Sequence, residues 1–216
     1  FLEREGRGRE FLVQYAKESG FVFATLVVCL FLGFLSSVVV ARMLGPEGKG
    51  IVFLISLVPG FLALIGSLGL ASANVYFTGS RKYETKEIVS NSTILALGVG
   101  VFLILAFLPV RGWVLRNFMQ DVPPLYLNLS LFSVPCLLSI SYFSSILRGR
   151  FRFRAFNLVS LIDVGGRLFC ILVLVLTLRM GVLGGVLATV ASLALTALLA
   201  LFLILPEGGL RFHINL

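Results

Sequence analysis

Charge is scarce in this 216-residue chain: Asp, Glu, Lys and Arg together make up 13% of it. A soluble domain carries about 25%. Histidine is almost missing, and a single residue, His213, cannot build a metal site. The three cysteines, Cys29, Cys136 and Cys170, lie inside apolar runs without C-x-x-C spacing. That excludes a disulfide framework or a zinc knuckle and leaves embedded free thiols. There is no G-x-S-x-G, no H-E-x-x-H and no P-loop. The carboxylates are scattered, so no acidic group is gathered to hold Mg²⁺. These absences argue against an enzyme and call for no cofactor.

What is abundant is apolar surface. Hydrophobic residues make up 58% of the chain, more than a soluble fold of this size can hide. A bilayer removes the difficulty by acting as the apolar solvent. A spanning helix needs roughly 20 mostly apolar residues. Six segments meet or approach that: Phe21–Val40, Ile51–Phe77, Ile88–Val110, Val122–Leu147, Ala155–Leu178 and Gly181–Leu205. The expected fold class is therefore all-α, a polytopic transmembrane bundle of about six spans. Residues 1–20 form an N-terminal segment, 21–205 the membrane lobe, and 206–216 a tail or linker. Phe11, Leu12, Tyr15 and Ala16 share a helical face, so the first segment reads as either a short interfacial helix or a flexible tail.

The connections carry matching punctuation. Gly45-Pro46 closes the first span, Pro123-Pro124 opens the fourth and Pro206 closes the sixth. Pro59 and Pro135 lie inside spans and are expected to kink them. Net charge is +8, but the basic residues sit between apolar runs, which suits topology and not nucleic-acid binding. With the N-terminus in the cytoplasm, the inner segments hold Arg4, Arg7, Arg9, Lys17, Arg81, Lys82, Lys86, Arg148, Arg150, Arg152, Arg154 and Arg211. The outer loops then hold only Arg42, Lys49, Arg111, Arg116 and Arg179. Both ends are expected inside.

Helices in lipid associate through close packing of small residues. Gly184, Ala188, Ser192, Thr196 and Ala200 recur every four residues, as do Gly33, Ser37 and Ala41, and Gly66, Gly69 and Ala73 punctuate the second span. These stripes predict tight helix contacts. Ionised groups inside a span cost at least about 2.5–3.5 kcal/mol, so Asp163 and Arg167 are the most informative residues. Their i, i+4 spacing lets them pair; they either neutralise each other or face a wet cavity. Arg42 at the end of the first span either snorkels to the interface or points inward. Asn74 and Asn91 are further candidates, more often helix glue than ligands. Arg148, Arg150, Arg152 and Arg154 alternate with Phe151 and Phe153, a cytoplasmic anchor suited to anionic lipid phosphates.

The run Arg42-Met43-Leu44-Gly45-Pro46-Glu47-Gly48 leads into Gly66-Ser67-Leu68-Gly69-Leu70-Ala71 and on to Phe77. Together with Ile146–Asn157, it resembles the N-terminal region of polysaccharide flippases, relatives of multidrug-extrusion transporters. The resemblance covers about Phe11 to Leu205. It implies one lobe of a two-lobe transporter that moves polyprenyl-diphosphate-linked oligosaccharide across a bacterial or archaeal inner membrane by alternating access. Arg42 matches the motif arginine; Arg167 is a candidate from burial alone. The implied partners are the lipid-linked oligosaccharide, membrane lipids and a second lobe, in cis or as another subunit, because rocking needs two bundles.

Two other readings compete. A drug or cation exporter on the same architecture would call for more acidic than basic cavity groups. A non-transporting subunit partnering a glycosyltransferase would have no central cavity. An integral-membrane enzyme is a weaker fourth reading.

Overall fold

A computed structural model describes residues 2–67, 69–80, 83–120 and 122–205, with only the backbone described for 2–19. Every regular element among them is helical: α1 Leu2–Ser67, α2 Leu70–Ser80, α3 Thr85–Phe118, α4 Pro124–Leu131, α5 Ser133–Gly149, α6 Phe153–Ile171 and α7 Gly181–Ile204. The face carrying Phe11 and Tyr15, and the tail 206–216, lie outside what is described.

The first two spans run together as one helical element broken at Gly45, whose φ of 70° and ψ of 179° are not helical. Glycine takes a positive φ without a Cβ clash. Pro46 then starts the second arm where its missing N–H costs little. The first arm, 20–44, and the second, 46–67, both line the same cavity, so the chain folds back at the break. The second arm stops again at Gly69, φ 74°, and α2 continues it. By continuous helix there are five membrane-length elements, the first being Gly20–Ser67. Counting its arms separately restores six.

Packing confirms an up-and-down order. At one end Ile88 and Val89 of α3 meet Phe143, Ile146 and Leu147 of α5, Val159 of α6, and Ala200 and Ile204 of α7. At the other end Ile55 of the second arm meets Met119, Val122, Leu127 of α4 and Val186 of α7. Elements near their starts at one end are near their finishes at the other. The outward faces carry Phe23, Leu30, Phe31, Phe61, Phe102, Phe169 and Phe202, all strongly exposed, as an apolar solvent permits.

The small-residue stripes divide. Ala188, Ser192, Thr196 and Ala200 of α7 are fully buried or nearly so, and a Cβ on Gly184 would lie 2.9 Å from the Leu174 carbonyl oxygen. A Cβ on Gly66 would lie 2.6 Å from Leu103. Gly33 instead has only Val164 at 3.9 Å and borders a cavity. Gly69 has nothing within 4 Å; its role is the turn, not the contact.

Two spans are interrupted. α4 and α5 are separated at Phe132, one turn before Pro135, which has no N–H for the Leu131 carbonyl. α6 ends in a π-helical stretch, Leu172–Thr177, and the N–H of Leu178 bonds the Val173 carbonyl at 3.0 Å. Where α1 stops, the Gly66 carbonyl accepts a hydrogen bond from the Tyr142 hydroxyl at 3.0 Å. That contact satisfies one of the acceptors a helix end leaves free.

Candidate functional site

A cavity of about 450 Å³ lies between the two arms of α1 and helices α4 to α7. Its size falls within the roughly 300–1,000 Å³ of ligand pockets. The two arms and α7 contribute stripes at helical spacing, and α4, α5 and α6 contribute fewer residues. The first arm supplies Gly33, Ser36, Ser37 and Val40, and the second Lys49, Val52, Phe53, Ser56, Pro59 and Gly60. Ser130 and Ser133 flank the break between α4 and α5. Arg167 and Ile171 come from α6, and Gly185, Val186, Thr189, Val190 and Leu193 from α7.

Among the described residues, two in the wall, Arg167 and Lys49, are cationic, and none there is acidic. The Arg167 guanidinium approaches the Asp163 carboxylate at 3.9 Å. Asp163 itself sits one turn beyond the wall. The arginine Nε and the Asp163 Oδ1 are buried without a hydrogen-bond partner. The pair is therefore loose, and the arginine keeps donor capacity for the cavity.

Of the candidate ligand-binding residues singled out from the sequence, only Arg167 reaches this cavity. Arg42 is exposed and outside the wall. Two residues along a helix turn the side chain by about 200°, so Arg42 points away from the face that carries Val40. Asn74 is buried and donates from Nδ2 to the Ser92 hydroxyl at 2.9 Å, joining α2 to α3. Asn91, next to Ser92 in the chain, is exposed.

The arginine cluster lies at the turn between α5 and α6, remote from the cavity. Arg148 stands over the Phe156 ring, 5.5 Å from its centroid. Arg150 donates to the Thr85 hydroxyl, and Arg152 donates to the Leu203 carbonyl at 3.2 Å. Arg154 is exposed. The cluster thus ties α3, α6 and α7 to one turn. Phe151 there adopts φ 58°, and Gly149 lets the turn press on α2, a Cβ lying 2.9 Å from the Val75 carbonyl oxygen.

Lys49 was legible only as a loop cation. Its signal was the i, i+3, i+4, i+7 relation to Val52, Phe53 and Ser56, which puts it on their face. Among the described residues no group of three or more His, Cys, Asp or Glu gathers to hold a metal ion. Cys29, Cys136 and Cys170 are free.

No curated protein matches. A MATE protein whose crystal structure was solved in complex with Br-NRF superposes with a TM-score of 0.66 at 21% identity, over 90% of this chain and 49% of that one. A MOP superfamily transporter from Pyrococcus furiosus, described as having a binding pocket of reverse polarity, gives 0.69 at 22%, over 87% and 43%. An outward-facing multidrug resistance MATE family transporter gives 0.65 at 22%, over 86% and 45%. The chain spans about half the length of these solved transporters and has the fold of one half of them. Residues 18–215 match the family described as polysaccharide biosynthesis protein; with that match running over nearly its whole length, this integral membrane chain belongs to that family.

Proposed function

We propose that this chain forms one lobe, the N-terminal one, of a transporter that carries polyprenyl-diphosphate-linked oligosaccharide across an inner membrane for polysaccharide export. A second lobe, in cis or as another subunit, completes it, and the N-terminus faces the cytoplasm. The single observation behind this reading is the cavity whose charged wall residues are Arg167 and Lys49. A diphosphate leaving water loses strong solvation, and opposite charge in a medium of lower dielectric offsets that loss. The polyprenyl tail needs no protein pocket because it stays in the bilayer.

A cation exporter fits this wall less well, since its charges would repel the cargo. In the Pyrococcus furiosus transporter, the reverse polarity of the binding pocket suggests a different function for that protein. The same criterion, pocket polarity, favours an anionic cargo here. A purely structural subunit would have no use for a cationic hollow.

The test is transfer of a fluorescent polyprenyl-diphosphate sugar across proteoliposomes. The Lys49→Ala/Arg167→Ala double variant is expected to lose transfer by at least about tenfold, the equivalent of one charge-assisted contact, with Arg167→Lys recovering part of it. Undiminished transfer in the double variant would sink the assignment.

A further inference from the structure

Six wall residues carry hydroxyls: Ser36, Ser37, Ser56, Ser130, Ser133 and Thr189. Five of them have already used their single proton within their own span. Ser36 donates to the Leu32 carbonyl at 2.9 Å, Ser56 to Val52 at 2.7 Å and Ser130 to Leu127 at 2.8 Å. Thr189 donates to Gly185 at 3.0 Å, and Ser133 to the Ser130 carbonyl. A hydroxyl has one donor and two acceptor lone pairs. What these groups still offer is acceptance.

The second arm adds to this. Pro59 has no N–H, so the Ile55 carbonyl four residues earlier lacks its helical donor. Both residues line the cavity. The wall therefore combines a set of acceptors with two cationic donors, Arg167 and Lys49. A phosphate is an acceptor and satisfies only the cations. A hydrophobic drug satisfies neither set. The complementary ligand joins an anion to a group rich in O–H or N–H donors.

Resting on the phosphate reading above, we infer that these hydroxyls form the sugar-recognition subsite. Ser36, Ser56, Ser130, Ser133 and Thr189 accept hydrogen bonds from the hydroxyls of the sugar nearest the diphosphate, while Arg167 and Lys49 hold the phosphate oxygens. The lobe thereby selects for the head group, not merely for a charged lipid. Acceptors fixed by back-bonding cannot rotate into donors without losing that bond, so an oxyanion in their place is disfavoured.

The experiment compares two probes binding to the protein in lipid nanodiscs: a short polyprenyl diphosphate, and the same lipid bearing one hexose. The wild type is expected to bind the hexosyl lipid more tightly. The Ser36→Ala/Ser56→Ala/Thr189→Val variant is expected to lose about tenfold of that preference and to bind the bare diphosphate unchanged. Thr189→Val alone, an isosteric change, serves should the triple variant fail to fold, with a smaller loss in the same direction. A wild type that does not distinguish the two lipids, or a folded variant that keeps the full preference, overturns the inference. Unchanged bare-diphosphate binding in Lys49→Ala/Arg167→Ala would instead defeat the phosphate reading and leave the sugar preference to stand or fall separately.

Discussion

Arg167 stands one helical turn from Asp163, their charged groups 3.9 Å apart, and only the arginine reaches the cavity wall. The carboxylate therefore competes with any anion the cavity takes. Half-exposed ion pairs are worth roughly 0.2–1 kcal/mol, and the arginine side chain is 41% exposed. Asp163→Asn is expected to tighten binding of a polyprenyl diphosphate by up to about fivefold. Weaker binding on titration in nanodiscs would mean that Asp163 positions the arginine instead of restraining it.

A wet cavity has a chemical signature. With Cys29, Cys136 and Cys170 replaced by serine or alanine, Lys49→Cys and Ser56→Cys are expected to react with a water-soluble thiol reagent. Added diphosphate lipid should slow both. Asn74→Cys, at a buried position, should stay unmodified in the folded protein. Mass spectrometry of the labelled chains reads all three.

Gly100 and Gly98 are two residues apart on α3 and should behave oppositely. A Cβ on Gly100 would lie 2.9 Å from both Cα and Cβ of Pro135, whereas Gly98 has open space. Overpacking of this kind costs about 1–3 kcal/mol, so Gly100→Ala should lower the unfolding temperature in detergent. Gly98→Ala should be neutral or slightly stabilising, since alanine is the better helix former by up to about 1 kcal/mol.

Asn74 and Tyr142 are expected to act on the fold and not on the ligand. Interhelical hydrogen bonds in membranes average about 0.6 kcal/mol. Asn74→Leu removes the bond to Ser92, and Tyr142→Phe leaves the Gly66 carbonyl without its donor. Each should shift thermal unfolding slightly and leave diphosphate binding within twofold or so. A large loss of binding at either would show that the contact it removes, α2–α3 for Asn74 or α1–α5 for Tyr142, is coupled to the cavity.

Topology reporters test the charge asymmetry directly. Fusions after Tyr83 and after Phe151 should report the cytoplasm, and fusions after Gln120 and after Met180 the opposite side. A reversed pattern would mean that the excess of Lys and Arg on one side does not set orientation.

The helices themselves were plain in the sequence. Long apolar runs allow only one arrangement in lipid, because every backbone N–H and C=O must be satisfied within the segment. The Gly45-Pro46 break, the start of α4 at Pro124 and the buried face of α7 followed from local chemistry. The π-helical end of α6 did not. It is made where Gly184 of α7 closes on the Leu174 carbonyl, and no residue within Leu172–Thr177 announces that.

The site was less legible. Arg167 stood out because a buried cation is costly wherever the chain goes. Arg42 and Lys49 looked alike, two cations flanking one turn, yet the fold sends one outward and the other into the cavity. Local sequence determined that this chain crosses a membrane as a bundle, that the first element breaks at Gly45 and that α4 begins at Pro124. Which stripes face one another was decided by tertiary packing, since helix rotation depends on all neighbours at once. A cavity is the space those neighbours fail to fill, and no single segment encodes it.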